Sequence, residues 1–156
     1  FTLPQFDGVN IFAEGGSQGG ALTLAATALD KRIVAAAPFV PFLSDYPDYF
    51  RLSEWIGSTL RNAAKEKGMT DMQLMRNMSY FDIKNLATLI DVPVLMAVGL
   101  QDTTCPPHTN FAGYNLISSP KQFIIYPDKG HGVSRPHWDN AHIAFFRKYM
   151  KPATKK

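Results

Sequence analysis

The sequence is poor in several features that would assign it quickly to a class of protein. Among its 156 residues only Cys105 is a cysteine, so no disulfide can form within the chain. No apolar run approaches the roughly 18–20 residues that a membrane-spanning helix needs. The net charge of +3 is spread along the sequence without an arginine-rich stripe, and no zinc-ligand spacing occurs. We therefore predict no membrane, nucleic-acid or metal partner and no cofactor.

The most informative segment is glycine-rich and surrounds Ser17. Residues 15–19 have the sequence GGSQG, which matches the pattern G-x-S-x-G. An apolar run at 9–13 precedes the motif, and a helix-forming run at 21–26 follows it. A serine in a tight turn between a strand and a helix is exposed above the sheet, and small residues two positions before and after it leave room for the turn. The segment predicts a nucleophilic serine, with the outer glycines of the motif as the required small residues.

A phosphate-binding loop is the alternative interpretation of the same glycines. The pattern G-x-x-x-x-G-K-[ST] is absent, because Ala21 and Leu22 stand where lysine and serine or threonine would follow. The glycines at 15–20 also lack the third-glycine spacing of the dinucleotide-binding pattern G-x-G-x-x-G. The strand and helix around Ser17 therefore favour the nucleophile over the phosphate site.

A nucleophilic serine of this kind needs an acid and a histidine later in the chain. Residues 93–99 form a short apolar run after a proline, which is typical of a buried parallel strand, and Asp102 follows it. Residues 122–126 predict another strand, and His131 lies in the loop after it. Functional groups collect at the carboxyl ends of the strands in open α/β sheets. The sequence therefore predicts that Ser17 meets this acid and this histidine at one edge of a sheet.

The three residues together predict nucleophilic catalysis. His131 would take the proton of Ser17 and later protonate the leaving group, because a serine hydroxyl needs a neighbouring base. Asp102 would hold the imidazole in the correct tautomer and stabilise its charged form. The backbone N–H of Gln18, at the start of a helix, would donate one hydrogen bond to the oxyanion, assisted by the helix dipole.

Other residues compete for these roles. Asp128 is an alternative acid, although its neighbours have the sequence of a turn. Cys105 is an alternative nucleophile, although no comparable glycine-rich turn surrounds it. The remaining histidines are predicted in or next to helices and have no evident catalytic role: His108, His137 and His142.

At these residues the sequence resembles the acetyl xylan esterase / cephalosporin-C deacetylase family (carbohydrate esterase family 7). The matching segments are the serine motif with the start of its helix, the sequence SYFDIKNLA, and the strand, loop and helix around the acid. They occupy residues 15–22, 79–87, 93–102, 105–107 and 111–115. These segments occur in order, and the resemblance covers nearly the whole chain.

The resemblance implies an α/β-hydrolase that removes acetyl groups from small acetylated substrates, including xylo-oligosaccharides. It carries Ser17, Asp102 and His131 over as the catalytic triad of a serine carboxylesterase, and it implies a homo-oligomer. Two positions depart from the family's pattern. Glu14 stands where the family has an apolar residue, and Gly132 stands where it has a glutamate. Both departures bear on the preferred ester rather than on the triad.

The predicted elements account for only part of such a fold. Strands at about 9–14, 33–37, 93–100 and 121–126 alternate with helices, which predicts an α/β fold with a mostly parallel sheet covered on both faces. The helices are predicted at about 19–29, 48–66, 70–78, 82–90, 107–117 and 138–150.

In a hydrolase fold these would be the last four of eight strands. The first of them is predicted to be buried on both faces, yet its inner neighbour is missing, and a long open apolar edge promotes aggregation. We expect residues 1–156 to be the C-terminal part of a single catalytic domain. Its N-terminal half would be a partner of this chain and would supply the second oxyanion donor. Cytoplasmic and secreted locations both stay open.

The segment after the second strand is expected to determine specificity. A lid-like insertion at about 38–80 begins with many aromatic residues and prolines. Phe39, Tyr46 and Tyr49 are predicted to line the acyl or sugar pocket, because sugar faces stack on aromatic rings; the alternative is that they pack the insertion onto the sheet. A stripe at every third residue is predicted to belong to the core or to a subunit interface: Met69, Met72, Met75 and Met78.

Two classes of function therefore stand side by side. The first is a serine esterase that acts through a covalent acetyl-enzyme, with a prolyl-oligopeptidase-like serine peptidase as a close alternative that has the same triad. The second is a non-catalytic or inactive fragment of a hydrolase fold. The Ser, Asp and His set favours the first class for the complete protein, and the missing half favours the second for this chain alone.

Overall fold

A four-stranded parallel sheet forms the centre of the computed structural model, which describes residue 4 and residues 6–153. The strands lie in chain order, and each pairs in parallel with the next. They are β1 (Ile11–Gly16), β2 (Ile33–Phe39), β3 (Val94–Gly99) and β4 (Lys121–Tyr126). The predicted α/β class is confirmed, and the predicted strands lie within a few residues of the observed ones.

Helices connect these strands and cover both faces of the sheet. They are α1 (Gln18–Leu29), α2 (Tyr46–Leu52), α3 (Glu54–Glu66), α4 (Asp71–Ser79), α5 (Ile83–Leu86), α6 (Pro107–Leu116) and α7 (Arg135–Tyr149), with a short 3₁₀ helix at Ala87–Leu89. Among the residues that the structure describes, no helix is long and apolar enough to cross a membrane.

Three predicted helices differ from those observed. The helix predicted at 48–66 is two helices, because the backbone of Ser53 is extended (φ −133°, ψ 115°) and its N–H closes α2 on the carbonyl of Tyr49 at 2.9 Å. The helix predicted at 82–90 ends after a single turn and continues as the 3₁₀ helix. The last helix begins at Arg135 rather than at 138, with a proline in its first turn, where proline is favoured.

Alternate residues of the strands build two apolar layers, one on each face of the sheet. Ala36, Val94 and Met96 belong to the layer that includes residues of α1 and α5. Ala35 and Leu95 belong to the other layer, which includes Trp138 and Phe145 of α7. Because both faces are covered, β2 and β3 consist almost entirely of buried apolar residues, as expected for parallel strands.

Strand β1 lies at the edge of the sheet. Within residues 4 and 6–153 it pairs with β2 alone, and none of its six residues is fully buried. Glu14 is exposed, whereas Phe12 and Ala13 pack against the apolar layers on the two faces of the sheet. The prediction that this strand is buried on both faces concerns the complete domain and stays a prediction. The expectation of a further strand beside β1 stays a prediction.

Helices α2, α3 and α4, which follow β2 in the chain, form a layer with a core of its own. Its buried core contains Tyr46, Tyr49, Phe50, Ala64 and Leu74. Three of the four methionines of the predicted stripe pack against this core, namely Met69, Met75 and Met78. The fourth, Met72, is 82% exposed, so the stripe belongs only partly to the core.

Candidate active site

Ser17 occupies the sharp turn between β1 and α1. Its backbone has φ 56° and ψ −123°, a conformation that residues other than glycine rarely adopt. The turn is held against the segment that follows β2, since the Ser17 N–H donates to the carbonyl of Phe39 at 3.1 Å and the Phe42 N–H donates to the Ser17 carbonyl at 3.0 Å. A strained serine between a strand and a helix is the geometry expected of an exposed nucleophile.

The glycines of the motif do not all have the role that the sequence predicts. A Cβ at Gly15 would lie 2.6 Å from the carbonyl oxygen of Gly19, and one at Gly16 would lie 2.2 Å from the ring of Phe39. Gly15 therefore requires glycine, because the Cβ would meet backbone atoms, whereas a larger residue at Gly16 would have to displace the ring of Phe39. A Cβ at Gly19 would meet nothing within 4 Å, so the prediction that Gly19 must be small is wrong for the part of the chain that the structure describes.

A continuous chain of hydrogen bonds joins the three predicted catalytic residues. The Oγ of Ser17 lies 2.9 Å from the Nε2 of His131, and the Nδ1 of His131 lies 2.8 Å from the Oδ2 of Asp102. The structure thus brings Asp102 to this histidine. Asp128, the alternative acid, is exposed in the turn after β4.

The carboxylate of Asp102 is fixed from both sides. Asp102 is 4% exposed, and its Oδ1 accepts hydrogen bonds from the backbone N–H groups of Thr104 and Cys105, each at 2.8 Å. Its Oδ2 is left for His131. A buried carboxylate held in this way can orient the imidazole and stabilise its positive charge.

The loops that carry the acid and the histidine approach each other closely at the end of β3. The Gln101 N–H donates to the Lys129 carbonyl at 2.9 Å. A Cβ at Gly99 would lie 2.2 Å from the carbonyl oxygen of Gly130, so no larger residue fits there without displacing the histidine loop. Gly99 therefore sets the separation between Asp102 and His131.

Cys105 is a buried thiol beside this centre. It is 2% exposed, and burial, followed by the charge of Asp102, raises the pKa of its thiol from 9.0 to about 12. The thiolate is the nucleophilic form of cysteine, and this environment disfavours it. The structure gives no support to a cysteine nucleophile.

Within the part of the chain that the structure describes, two groups of side chains have metal-ligating atoms within 4.8 Å of one another: Asp102, Cys105 and His131, and Asp45, Asp48 and His108. The members of both groups already have partners within the protein. In the second group Asp45 pairs with Lys84, and Asp48 contacts both Arg51 and His108. We assign a metal to neither group.

The other histidines lie away from Ser17. His108 contacts Asp48 at 2.7 Å, and the Nδ1 of His137 lies 2.8 Å from the hydroxyl of Tyr126. His142 contacts the carbonyl of Trp138 one helical turn earlier, at 3.0 Å. These contacts agree with the structural roles expected of helix residues.

A cavity of about 300 Å³ opens beside Ser17. Gln18, the first residue of α1, lies on its wall, and the N–H groups of a helix's first turn have no acceptor within the helix. The role of the Gln18 N–H as an oxyanion donor stays a prediction. The remaining wall is mostly apolar and consists of Phe42, Ile56, Thr104 and Cys105.

The three aromatic residues predicted for the pocket do not line this cavity. Phe39 packs on the face of the sheet that α7 covers, where its ring lies 5.5 Å from that of Trp138. Tyr46 and Tyr49 are 3% and 1% exposed and pack in the core beneath the lid-like segment. The prediction that Phe39, Tyr46 and Tyr49 line an acyl or sugar pocket is thus not met at the cavity beside Ser17 and otherwise stays a prediction. Tyr46 lines a neighbouring apolar cavity that shares Phe42 and Ile56.

Sequence reasoning missed the residues that do line the cavity. Phe42 lies in the aromatic-rich segment after β2, and the composition of that segment did indicate a pocket. The direction of the Phe42 side chain, however, depends on the backbone of the loop. Thr104 follows Asp102 by two residues and reaches the cavity because the acid loop folds back on the carboxylate. Ile56 lies in α3, far from the serine motif in the sequence, and no sequence pattern indicates that it lies near Ser17.

With this geometry established, the family of the chain can be decided by comparison. The sequence profile of the family described as Acetyl xylan esterase (AXE1) matches residues 1–149. The chain belongs to the acetyl xylan esterase family. It is also similar to the acetyl esterase Axe7A of Xylanibacter ruminicola, with 38% identity over 130 residues that make up 83% of this chain and 29% of that protein.

Solved structures agree with this membership. An acetyl xylan esterase from Paenibacillus sp. R4 has a TM-score of 0.79 and 38% identity over 87% of this chain and 44% of its own. Acetyl xylan esterase 1 from Thermoanaerobacterium sp. JW/SL YS485 has a TM-score of 0.74 and 35% identity over 96% of this chain and 49% of its own. The chain thus spans less than half the length of these relatives.

The same fold occurs in more distant proteins. The acylaminoacyl peptidase of Pyrococcus horikoshii has a TM-score of 0.76 at 19% identity, over 98% of this chain and 26% of its own. At that identity the likeness concerns the fold alone. It confirms the α/β-hydrolase class that the resemblance implied.

Proposed function

We propose that this chain carries the catalytic triad of a serine carboxylesterase that removes acetyl groups from acetylated sugars or related small esters. The observation that carries the proposal is the hydrogen-bonded series Ser17, His131 and Asp102, at 2.9 and 2.8 Å, in a member of the acetyl xylan esterase family. The strained backbone of Ser17 supports the same role.

The proposed reaction begins with attack of the Ser17 oxygen on the ester carbonyl. His131 accepts the hydroxyl proton as the new C–O bond forms, and Asp102 stabilises the imidazolium. Collapse of the tetrahedral intermediate breaks the bond to the sugar oxygen, which leaves with the proton from His131. Water then attacks the acetyl-enzyme with the same histidine as base, which releases acetate and restores the serine.

The oxyanion of both intermediates needs hydrogen-bond donors. The backbone N–H of Gln18, at the start of α1, is the donor that we assign, and the helix dipole adds to its effect. A second donor is expected from the N-terminal half of the catalytic domain. Loss of one such donor typically costs about 10²–10³ in rate.

We propose that the acyl group of the ester lies in the cavity beside Ser17. Its volume is about 300 Å³, and its wall of Phe42, Ile56, Thr104 and Cys105 is mostly apolar. Such a wall suits the methyl group of an acetyl ester. Because the chain belongs to the acetyl xylan esterase family, we expect acetyl esters to be preferred over esters of long acids.

We also propose that residues 1–156 are the C-terminal part of a single catalytic domain, with a lid-like insertion at about 38–80. In support, β1 pairs only with β2 among the residues described, and the chain spans less than half of the related esterases. The N-terminal half would then be a partner of this chain. We propose a homo-oligomer for the complete protein, and a small acetylated molecule rather than a nucleic acid or a membrane as its ligand.

Hydrolysis assays test the proposal. Wild type, Ser17→Ala and Asp102→Asn are compared on 4-nitrophenyl acetate, an acetylated xylo-oligosaccharide and an acylated peptide anilide, with Ser79→Ala as a control at an exposed serine of α4. We expect hydrolysis of the acetyl esters by wild type and Ser79→Ala and its loss in the other two variants. A preference for the anilide would favour the peptidase, and a wild type no faster than Ser17→Ala would favour the inactive fragment.

A further inference from the structure

The segment from Val40 to Tyr46 joins β2 to α2 and has an unusual backbone. Three of its residues that are not glycine have positive φ angles: Val40 at 39°, Leu43 at 56° and Asp45 at 52°. Such conformations cost free energy and persist only where the surrounding structure holds them. The contacts of this segment therefore determine where its side chains lie.

One end of the segment is attached to the sheet and to the serine turn. The Val40 N–H donates to the carbonyl of Ala97 at 2.7 Å, and the Phe42 N–H donates to the carbonyl of Ser17 at 3.0 Å. Phe42 then lines the cavity beside Ser17. The position of this aromatic ring thus depends directly on the course of the segment.

The other end is attached to Asp82, which lies just before α5 and is 2% exposed. Its Oδ1 accepts the N–H groups of Asp45 at 2.8 Å and Lys84 at 2.9 Å, and its Oδ2 accepts the N–H of Tyr46 at 3.0 Å. A single buried carboxylate therefore satisfies three backbone donors, two of them in the strained segment.

Two further contacts belong to the same attachment. The Ile83 N–H donates to the carbonyl of Leu43 at 2.8 Å, and the Lys84 ammonium pairs with the carboxylate of Asp45. The lysine offsets part of the negative charge that Asp45 and Asp82 bring together. The strained segment is thus held between the serine turn on one side and α5 on the other.

We propose that Asp82 is a positioning residue for the ester site: it holds the segment from Val40 to Tyr46 and, through Phe42, the wall of the cavity beside Ser17. Asp82 makes no contact with the triad in the structure described, so its effect on the reaction is indirect. The part of the proposal that concerns ester binding rests on the proposed function. The part that concerns the position of the wall does not.

An isosteric substitution tests the proposal, because only a carboxylate has acceptors on both sides. In Asp82→Asn the amide NH₂ must face at least one of the three N–H donors, which breaks that bond and leaves two donors opposed. Asp7→Asn is the matched control. Asp7 also accepts two backbone N–H groups, from Val9 and Asn10, but it precedes β1 at the other end of the strand.

The first measurement is the reaction of Cys105 with Ellman's reagent in the folded protein. Cys105 is the only cysteine of the chain and lies on the cavity wall, so its thiol reports the opening of the wall without any need for catalysis. We expect Asp82→Asn to react at least about tenfold faster than wild type, as the loss of one charged hydrogen bond allows. Asp7→Asn should react at the wild-type rate.

The second measurement separates binding from chemistry. For 4-nitrophenyl acetate we expect Asp82→Asn to raise KM by about tenfold with a much smaller change in kcat, because the triad is intact and the wall is displaced. A merely structural role would leave KM unchanged for the folded fraction. If wild type hydrolyses no ester, the proposed function fails, and the thiol measurement still decides the role of Asp82.

A milder variant keeps the test decisive if Asp82→Asn does not fold. Lys84→Met removes only the ion pair to Asp45, at a side chain that is 30% exposed. We expect its thiol to react faster than wild type but more slowly than in folded Asp82→Asn. If Cys105 reacts at the wild-type rate in Lys84→Met and in any folded Asp82→Asn, the proposal is overturned.

Discussion

Ser17 has a strained backbone conformation at the position proposed for the nucleophile. Its φ of 56° would suit a glycine, and glycines surround it at 15, 16, 19 and 20, yet the residue at the turn itself is a serine. A positive φ at a residue with a side chain costs about 1–3 kcal/mol. The site therefore retains a conformation that lowers stability, which is expected where the hydroxyl must point out of the turn.

Replacing Ser17 with glycine should relieve that strain. Allowing about 0.5–1 kcal/mol for the greater chain entropy of glycine when unfolded, we expect Ser17→Gly to be more stable than Ser17→Ala by about 1 kcal/mol. Both variants should be inactive. Urea unfolding followed by circular dichroism measures the difference. Equal free energies of unfolding in the two variants would show that the turn is not strained.

Cys105 provides a pH-dependent contribution to stability. Its pKa is raised to about 12 in the fold, chiefly by burial, against an ordinary value of 9.0. The neutral thiol is thus favoured in the folded state. This contribution is complete below pH 9 and is lost as the pH rises from 9 towards 12, because the unfolded chain then loses a proton that the folded protein keeps.

The free energy of unfolding should therefore fall more steeply with pH in wild type than in Cys105→Ala. We expect the difference between them to shrink by up to about 1.4 kcal/mol per pH unit above pH 9 and to be constant from pH 6 to about pH 8. Urea unfolding at a series of pH values measures it. The tyrosines with raised pKa are common to both proteins and cancel. Parallel curves up to pH 10 would contradict the account.

At the residue scale, the sequence was sufficient to predict which serine, acid and histidine the structure brings into hydrogen-bond contact, but not which residues form the cavity wall. The order of serine, acid and histidine after predicted strands is a local signal. The direction of Phe39 follows from strand alternation, since it shares a face with Ala35 and Ala37, but the sequence alone does not say which face is opposite Ser17. The position of Phe42 depends on the positive φ of Val40, which no composition predicts.

At the element scale, the site depends on the place where the end of β3 contacts the loop after β4. The Gln101 N–H donates to the Lys129 carbonyl, and the backbone of the histidine loop leaves no room for a side chain at Gly99. Two elements distant in sequence thus set the separation of Asp102 and His131. This close approach is the reason for a glycine at the end of an otherwise bulky strand.

Enlarging Gly99 should separate the acid from the histidine. A Cβ there would lie 2.2 Å from the Gly130 carbonyl oxygen, so we expect Gly99→Ala to lose about 1–3 kcal/mol of stability and to lower kcat for 4-nitrophenyl acetate by more than about tenfold. Gly132→Ala is the control, because a Cβ at Gly132 would meet nothing within 4 Å in the structure described. Thermal unfolding and steady-state kinetics measure both effects. Equal kcat values in the two variants would contradict this role of Gly99.

Element boundaries were predicted well where composition changes sharply and poorly where it does not. The apolar runs of β3 and β4 end at glycine, proline and aspartate, and their predicted bounds differ little from those observed. The long helix predicted at 48–66 has helix-forming residues on both sides of Ser53. Its division depends on the burial of Ser53 against the rest of the layer, which is a tertiary effect.

At the scale of the whole molecule, the edge strand β1 carries the serine turn. Its six residues pair with β2 alone in the part of the chain described, and its exposed Glu14 accepts a hydrogen bond from the indole of Trp138 at 3.4 Å. The motif therefore lies at the boundary of the sheet. The resemblance to the family implies a further strand beside β1, and that strand would belong to residues outside this chain.

The three proposed catalytic residues follow three different strands of this one sheet, and the central claim is that together they form an acyl-enzyme on Ser17. Mass spectrometry of the protein quenched during reaction with 4-nitrophenyl acetate tests this most directly. We predict a mass gain of one acetyl group on the peptide that contains Ser17, formed in wild type and absent from Ser17→Ala. Intact mass recorded alongside identifies any second chain that co-purifies. No acetyl group on Ser17, or an equal gain elsewhere in both proteins, would contradict the central claim.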